Sequence, residues 1–140
     1  VLYRLLQHPE VTEELLKEQQ QVLQESGLDP NGKSVDVFTC DVLKKMLKLD
    51  SVVRESLRLR NQFYELPHTN IRNHNVVLSN GTIIPPDRDV LINLWHNHHH
   101  GEGEENIGEF KPFRFVDTRY PATKVGDNYL VFGEGKHACP

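Results

Sequence analysis

The C-terminal stretch of the chain reads Phe132-Gly133-Glu134-Gly135-Lys136-His137-Ala138-Cys139. Two glycines allow the backbone to turn tightly or to approach a flat partner closely. A loop of this kind can direct several backbone N–H groups at one sulfur, and such hydrogen bonds stabilise a metal-bound thiolate. Taken alone, the pattern is better explained by an ordinary glycine-containing turn beside a buried cysteine, because both features are common. The rest of the sequence is needed to distinguish the two interpretations.

An acidic and a basic residue lie three positions apart in a helical segment upstream of this loop. Apolar residues with helical spacing predict one continuous helix through Val42, Met46, Leu49, Val53 and Leu57. Glu55 and Arg58 lie away from that apolar stripe and are neighbours on the helix surface. Most such pairs are solvated. The alternative is a buried pair completed by Arg114, because a planar guanidinium suits a carboxylate and backbone carbonyls together.

The remaining pattern predicts helices in the first half of the chain and short strands in the second. One helix is expected to end near Gln7 and another to begin at Pro9, since proline is tolerated at a first helical position. Asn80-Gly81 lies between two apolar runs, which predicts a β-hairpin, and residues 90–95 predict a further strand. The predicted fold is therefore mainly α with a small β-hairpin region (α+β) and no internal domain boundary.

Composition excludes several classes of protein. The 140 residues carry 16 Lys and Arg against 20 Asp and Glu, a formal net charge of -4. The basic residues are scattered, which argues against a nucleic-acid partner. No apolar run approaches the roughly 20 residues that span a bilayer, and the first residues lack a signal-peptide pattern. Two cysteines do not make a disulfide framework.

Three segments, in this order, resemble the signature motifs of the cytochrome P-450 family of haem-thiolate monooxygenases. Residues 55–58 (ESLR) resemble its ExxR helix motif, and residues 110–115 (FKPFRF) are similar to its F-x-P-x-R-F segment. Residues 132–139 match its cysteine loop, F-x-x-G-x-x-x-C. The hairpin around residues 78–85 resembles the one that follows the ExxR helix. The resemblance covers essentially the whole chain but only the later part of the family's catalytic domain, so residues 1–140 are expected to be a single incomplete domain.

The resemblance implies a role for each matching residue. Cys139 falls on the proximal ligand of the haem iron, in a loop where Phe132, Gly133 and Gly135 also face the cofactor. Arg72 and His137 fall where the family places partners of the haem propionates. Beyond the iron ligand, no catalytic residue is expected in this part of the chain.

The same resemblance gives Glu55, Arg58 and Arg114 a structural role. They fall on the family's triad, which fixes the region around the cysteine loop and is not catalytic. The substrate cannot be read from this part of the chain. Only the segment from Leu66 to Ile71 is expected to approach the substrate side.

The resemblance also implies cofactors and partners. They are haem b, O2, a small organic and lipophilic substrate, and electrons from NADPH through a flavoprotein reductase. The motifs are most similar to fungal microsomal members of secondary metabolism. These are held at the cytosolic face of the endoplasmic reticulum by an N-terminal anchor, which would lie outside these residues. Two alternatives stay open: a reductase-independent peroxide isomerase or dehydratase, and a truncated, inactive chain that binds no haem.

Two other features, a cluster of histidines and Cys40, could suggest a reactive or metal-binding site, but a structural role is the favoured interpretation of each. The histidines at positions 96, 98, 99 and 100 suggest zinc, but consecutive ligands do not close a tetrahedron, so an ordinary surface segment is the favoured interpretation. Cys40 has no counterpart in the resemblance, and we expect it to pack as a small apolar residue near a helix start.

Overall fold

The computed structural model describes residues 1–60, 65–100, 107–117, 125–126 and 129–139. These residues form two compact units. The first contains residues 1–60 together with the segment that starts at Glu109, and the second contains the remainder. Among the described residues, no helix is both long and apolar enough to cross a membrane.

The first unit is helical. Its helices are α1 (Leu2–Gln7), α2 (Pro9–Glu25), α3 (Ser34–Val37), α4 (Cys40–Leu43) and α5 (Leu47–Leu59). The break at His8 between α1 and α2 confirms the predicted helix start, with proline at the first position of α2. Gly27, with φ +67°, follows the end of α2, a backbone conformation that glycine adopts without strain.

The core of this unit lies among α2, α3, α4 and the start of α5. Its buried side chains are Val22, Leu23, Val37, Val42 and Met46, with Leu28, Phe38 and Leu49 packed against them. Burial of such apolar surface contributes about 25 cal/mol per Å2. This cluster therefore holds α5, the helix that carries the ExxR motif, against α2.

The prediction of one continuous helix through residues 42–57 is wrong. The chain leaves helical geometry at Met46, whose ψ of 74° separates α4 from α5. The physical reason is a tertiary cap. The Glu18 carboxylate accepts the backbone N–H groups of Lys48 (2.6 Å) and Leu49 (2.9 Å), which a continuous helix would have satisfied internally.

The predicted apolar stripe is also wrong in its second half. Val53 and Leu57 are only half-buried. The buried face of α5 instead includes Ser51, Val52, Glu55, Ser56, Arg58 and Leu59. The helix thus buries a largely polar face, and those polar groups must find partners.

The second unit contains two small sheets and a short helix. Strand β1 (Glu65–Thr69) pairs antiparallel with β4 (Asp89–Asn93), so that Glu65 faces Asn93. Strands β2 (Val76–Val77) and β3 (Ile83–Ile84) form the hairpin that Asn80-Gly81 predicts, with Gly81 at φ +84°. The observed mixture of helices and small antiparallel sheets confirms the predicted α+β class.

Helix α6 (Leu94–His100) follows β4 directly. The strand predicted over residues 90–95 therefore ends two residues early. The Asn93 side-chain oxygen accepts the His96 backbone N–H at 2.9 Å, which caps the start of a helix at the point where the apolar run would have continued the strand. Strand β1 was not predicted, because Pro67 interrupts its pattern.

Candidate functional site

Glu55 lies at the centre of a buried ionic cluster in the first unit. Its side chain is fully buried, and that of Arg58 is 2% exposed. Arg58 donates from Nε to Oε2 and from Nη2 to Oε1, both at 2.8 Å, which is a bidentate pair. The pair predicted from the i, i+3 spacing is therefore buried rather than solvated.

Arg114 completes this cluster from the FKPFRF segment. Its Nε lies 3.1 and 3.2 Å from the two Glu55 oxygens, and its side chain is 11% exposed. The Lys111 backbone N–H also donates to Glu55, at 3.0 Å. Both guanidinium groups reach the Glu109 carbonyl oxygen, at 3.4 Å from Arg58 and 3.3 Å from Arg114. A single carboxylate thus joins α5 to a segment more than 50 positions later in the chain.

Ser51 is a second buried anchor between α5 and the same segment. Its hydroxyl donates to the Pro112 carbonyl oxygen at 2.8 Å and accepts the Phe115 backbone N–H at 3.0 Å. Sequence reasoning missed this residue. The available signal was its position four residues before Glu55, which puts both side chains on one helix face.

Each phenylalanine of the FKPFRF segment lies beneath a cation from the helices. Arg54 lies 4.3 Å from the Phe115 ring centroid, Lys48 lies 5.5 Å from that of Phe113, and Arg4 lies 5.3 Å from that of Phe110. Cation–π contacts of this kind contribute about 0.5–1 kcal/mol at exposed sites and more when desolvated.

Lys48 links the start of α5 to α2 by a second contact. Its Nζ lies 2.7 Å from Glu14, which Lys17 also contacts at 2.9 Å. These hydrogen bonds, that of Lys48 first, lower the pKa of Glu14 from 4.5 to about 2. The same contact raises the pKa of Lys17.

The cysteine loop belongs to the second unit. Gly133 and Gly135 have φ values of +72° and +73°, which L side chains rarely adopt. Residues Gly135–His137 form a 3-10 helix, and the Cys139 backbone N–H donates to the Phe132 carbonyl oxygen at 2.8 Å. This bond closes the loop around the glycines. Of the loop's N–H groups, those of Gly133, Ala138 and Cys139 bond to carbonyl oxygens, so the sulfur is not their partner.

The loop presents a thiol and an aromatic ring at the surface of this unit. Cys139 is exposed and free, and Phe132 is 52% exposed. A cavity of about 400 Å3 lies next to the loop, lined by Gly133 and Glu134 on one side. The other side is formed by β1 and by Ile71, which is 90% exposed. The segment from Leu66 to Ile71 therefore lies beside the loop that bears Cys139.

Arg72 is exposed, and its backbone is held in place by Asn70, two positions earlier in the chain. The Asn70 side-chain oxygen accepts the Arg72 backbone N–H at 3.0 Å. The Asn70 amide nitrogen lies 3.0–3.1 Å from the carbonyl oxygens of His74, Ile84 and Pro85. Asn70 is buried, and sequence reasoning missed it, because an isolated asparagine next to apolar residues carries no distinctive signal.

His98 fixes the chain just before the cysteine loop. Its ring is fully buried, and Nε2 accepts the Leu130 backbone N–H at 2.9 Å, which places the ring proton on Nδ1. Of the other predicted residues, His137 is described in its backbone only, and its side chain lies outside the described part.

Cys40 does not pack as predicted. It is an exposed, free thiol at the first position of α4, because the buried residue of this short helix is Val42 and Cys40, two positions earlier, lies on the opposite face. Among the described residues, no group of three or more histidine, cysteine or acidic side chains is arranged to hold a metal ion.

Comparison with known proteins places these motifs in a family. A sequence model of the cytochrome P-450 family matches residues 1–140. Cytochrome P-450 monooxygenase 151 of Postia placenta is 31% identical over 147 residues, which cover 99% of this chain and 27% of the relative. Trans-cinnamate 4-monooxygenase of Catharanthus roseus is 32% identical over 139 residues, 97% of this chain and 25% of the relative.

Solved structures agree with the sequence comparison. The structure of a zebra fish cytochrome P-450 with abiraterone superimposes with a TM-score of 0.72 at 26% identity, over 96% of this chain and 29% of the other. A retinoic-acid-bound cyanobacterial protein gives a TM-score of 0.74 at 24% identity, over 98% of this chain and 28% of the other, and shows the shared fold. The chain spans about a quarter of the length of the curated relatives it matches.

Proposed function

This chain belongs to the cytochrome P-450 family, and from that premise we propose that Cys139 is the axial thiolate ligand of a haem iron in a monooxygenase. The substrate would be a small, lipophilic organic molecule. When bound, such a haem supplies oxygen activation, in which one atom of O2 enters the substrate and the other leaves as water, and a thiolate ligand favours O–O cleavage.

The observation that carries this proposal is the cysteine loop. It ends in an exposed thiol, and two glycines with positive φ bring the backbone around without side chains in the way. Thiolate is a soft ligand that suits iron. The exposed Phe132 ring and the apolar Ile71 side chain are what a large flat apolar partner would cover. The residues present therefore fit a haem.

The chain's own residues bind and orient that group. Gly133 and Gly135 allow close approach of the backbone, and Phe132 contributes an apolar face. Arg72 would pair with a propionate, and Asn70 supports this role by fixing the Arg72 backbone. His137 would be a second propionate partner when protonated.

Glu55, Arg58 and Arg114 are proposed as positioning residues rather than catalytic ones. Their buried hydrogen bonds fix the FKPFRF segment against α5 within the first unit. By resemblance to the family, this fixed segment supports the region of the cysteine loop. Arg58→Ala should therefore abolish haem incorporation, whereas Arg4→Ala should leave it intact, since Arg4 makes only a cation–π contact with Phe110.

The identity of the cofactor, the source of its electrons and the location of the protein in the cell follow from the same family resemblance. We take the cofactor as haem b, the electron source as NADPH through a flavoprotein reductase, and the location as the cytosolic face of the endoplasmic reticulum. The support is the similarity to fungal monooxygenases, among them one from Postia placenta.

The test is the spectrum of the reduced protein under carbon monoxide. Thiolate-ligated haem iron is expected to give a Soret band at about 450 nm. Cys139→Ala should abolish it, and Cys40→Ala is the matched control, since both cysteines are exposed free thiols. Retention of the band in Cys139→Ala would refute the ligand assignment. Turnover that continues without reductase would instead indicate peroxide isomerisation.

A further inference from the structure

We infer that His96 and His100 form a binding site for a divalent late-transition-metal ion such as Ni2+ or Cu2+. The two residues lie four positions apart on α6, one turn along the same helix face. Their ring centroids are 5.3 Å apart, and both side chains are exposed. Two imidazoles one helical turn apart can bind the same metal ion, and the two histidines of H-E-x-x-H helices bind zinc at this spacing.

The helix is what creates this pair. Consecutive histidines do not surround one ion, but helical geometry separates them. The His99 ring stacks on Trp95 at 4.7 Å, and its Nδ1 lies 2.9 Å from the Trp95 carbonyl oxygen. His98 is buried and bonded to Leu130. Residues 96 and 100 therefore face each other while 98 and 99 are engaged elsewhere.

The start of the helix is also secured, since Asn93 caps it through the His96 N–H at 2.9 Å. Capping fixes the first of the two ligands in helical geometry. Imidazole nitrogen suits nickel, copper and zinc, and affinity rises towards copper in the divalent series. Among the described residues, no third ligand side chain lies in position, so the inference concerns the two imidazoles alone. This site does not depend on the haem proposal.

The experiment is a titration of the purified protein, free of any polyhistidine tag, with Ni2+. Nickel is preferred to copper because Cu2+ also oxidises exposed thiols such as Cys40. Calorimetry should show one ion bound to the pair. His96→Ala and His100→Ala should each weaken binding about a hundredfold, because one anchored ligand raises the effective concentration of the other. Alanine favours helix, so neither loss can be ascribed to unwinding of α6.

His99→Ala is the matched control, an adjacent histidine on the same helix, and should leave the affinity unchanged. A second measurement uses Trp95, the only tryptophan of these residues, whose ring lies 5.2 Å from that of His100. Its fluorescence should be quenched by Ni2+ in the parent protein and not in His100→Ala. The Trp95→Phe variant measures the background emission that does not come from tryptophan. Wild-type affinity in His96→Ala, or an equal loss in His99→Ala, would overturn the inference.

Discussion

Replacing Glu55 by glutamine should destabilise the folded protein severely. The substitution keeps the shape of the side chain but removes its charge. Glutamine offers one acceptor oxygen and an NH2 group where Arg58 Nε now meets a carboxylate oxygen at 2.8 Å. The variant therefore places donor against donor, and leaves a buried guanidinium without its counter-charge.

The size of the expected loss in unfolding free energy follows from the burial of the cluster. Removing one partner of a buried ion pair costs about 3–5 kcal/mol, because the remaining charge stays desolvated. Arg114 is also affected, since its Nε contacts both Glu55 oxygens. A single domain is stable by only about 5–15 kcal/mol, so this loss is a large share of the total.

The assay is equilibrium urea unfolding of the protein and its variants, followed by circular dichroism. Asp41→Asn is the matched control, because Asp41 and Lys44 form an ion pair at the same i, i+3 spacing but on the exposed surface. It should unfold at the wild-type urea concentration. Arg58→Lys should also be costly, since lysine loses the bidentate geometry. A change of less than about 1 kcal/mol in Glu55→Gln would refute the reasoning that the cluster is buried and tightly paired.

Three further predictions concern the other contacts. Glu14→Gln should lower the urea midpoint of unfolding above pH 4.5. Its difference from wild type should vanish as the pH falls from 4.5 to about 2, because Lys48 and Lys17 stabilise only the ionised Glu14, whose pKa they lower. A difference that persists at the lowest pH would contradict this. Asn70→Ala should cost about 2 kcal/mol, by urea unfolding, because the buried Asn70 side chain bonds to three carbonyl oxygens and to the Arg72 N–H, whereas Asn80→Ala, at an exposed turn, should cost much less. Gly133→Ala should cost about 1–2 kcal/mol of left-handed backbone strain, whereas Gly126→Ala should be nearly neutral, and equal effects would show that φ at residue 133 is not the cause.

Local signals predicted several elements correctly. Proline at position 9 marked a helix start, and Asn80-Gly81 marked a hairpin, because these residues restrict their own backbone whatever surrounds them. The same holds for the cysteine loop, where two glycines take positive φ as their lack of a Cβ allows.

Long-range contacts could not be predicted in the same way. The break before α5 depends on Glu18, about 30 positions earlier, whose carboxylate caps Lys48 and Leu49. The roles of Ser51 and Asn70 depend on carbonyl oxygens that only the folded chain brings within reach. No periodicity in the sequence encodes such partners.

The sequence by itself determined the family, through three motifs in a fixed order, and the positions at which the backbone must turn. Only the tertiary structure decided that the face of α5 bearing Glu55 and Arg58 is buried, and that His96 and His100 face each other on a helix. The physical reason is that backbone restrictions belong to single residues. Burial and pairing depend instead on groups far apart in the chain, whose desolvation and hydrogen bonding are set only on folding.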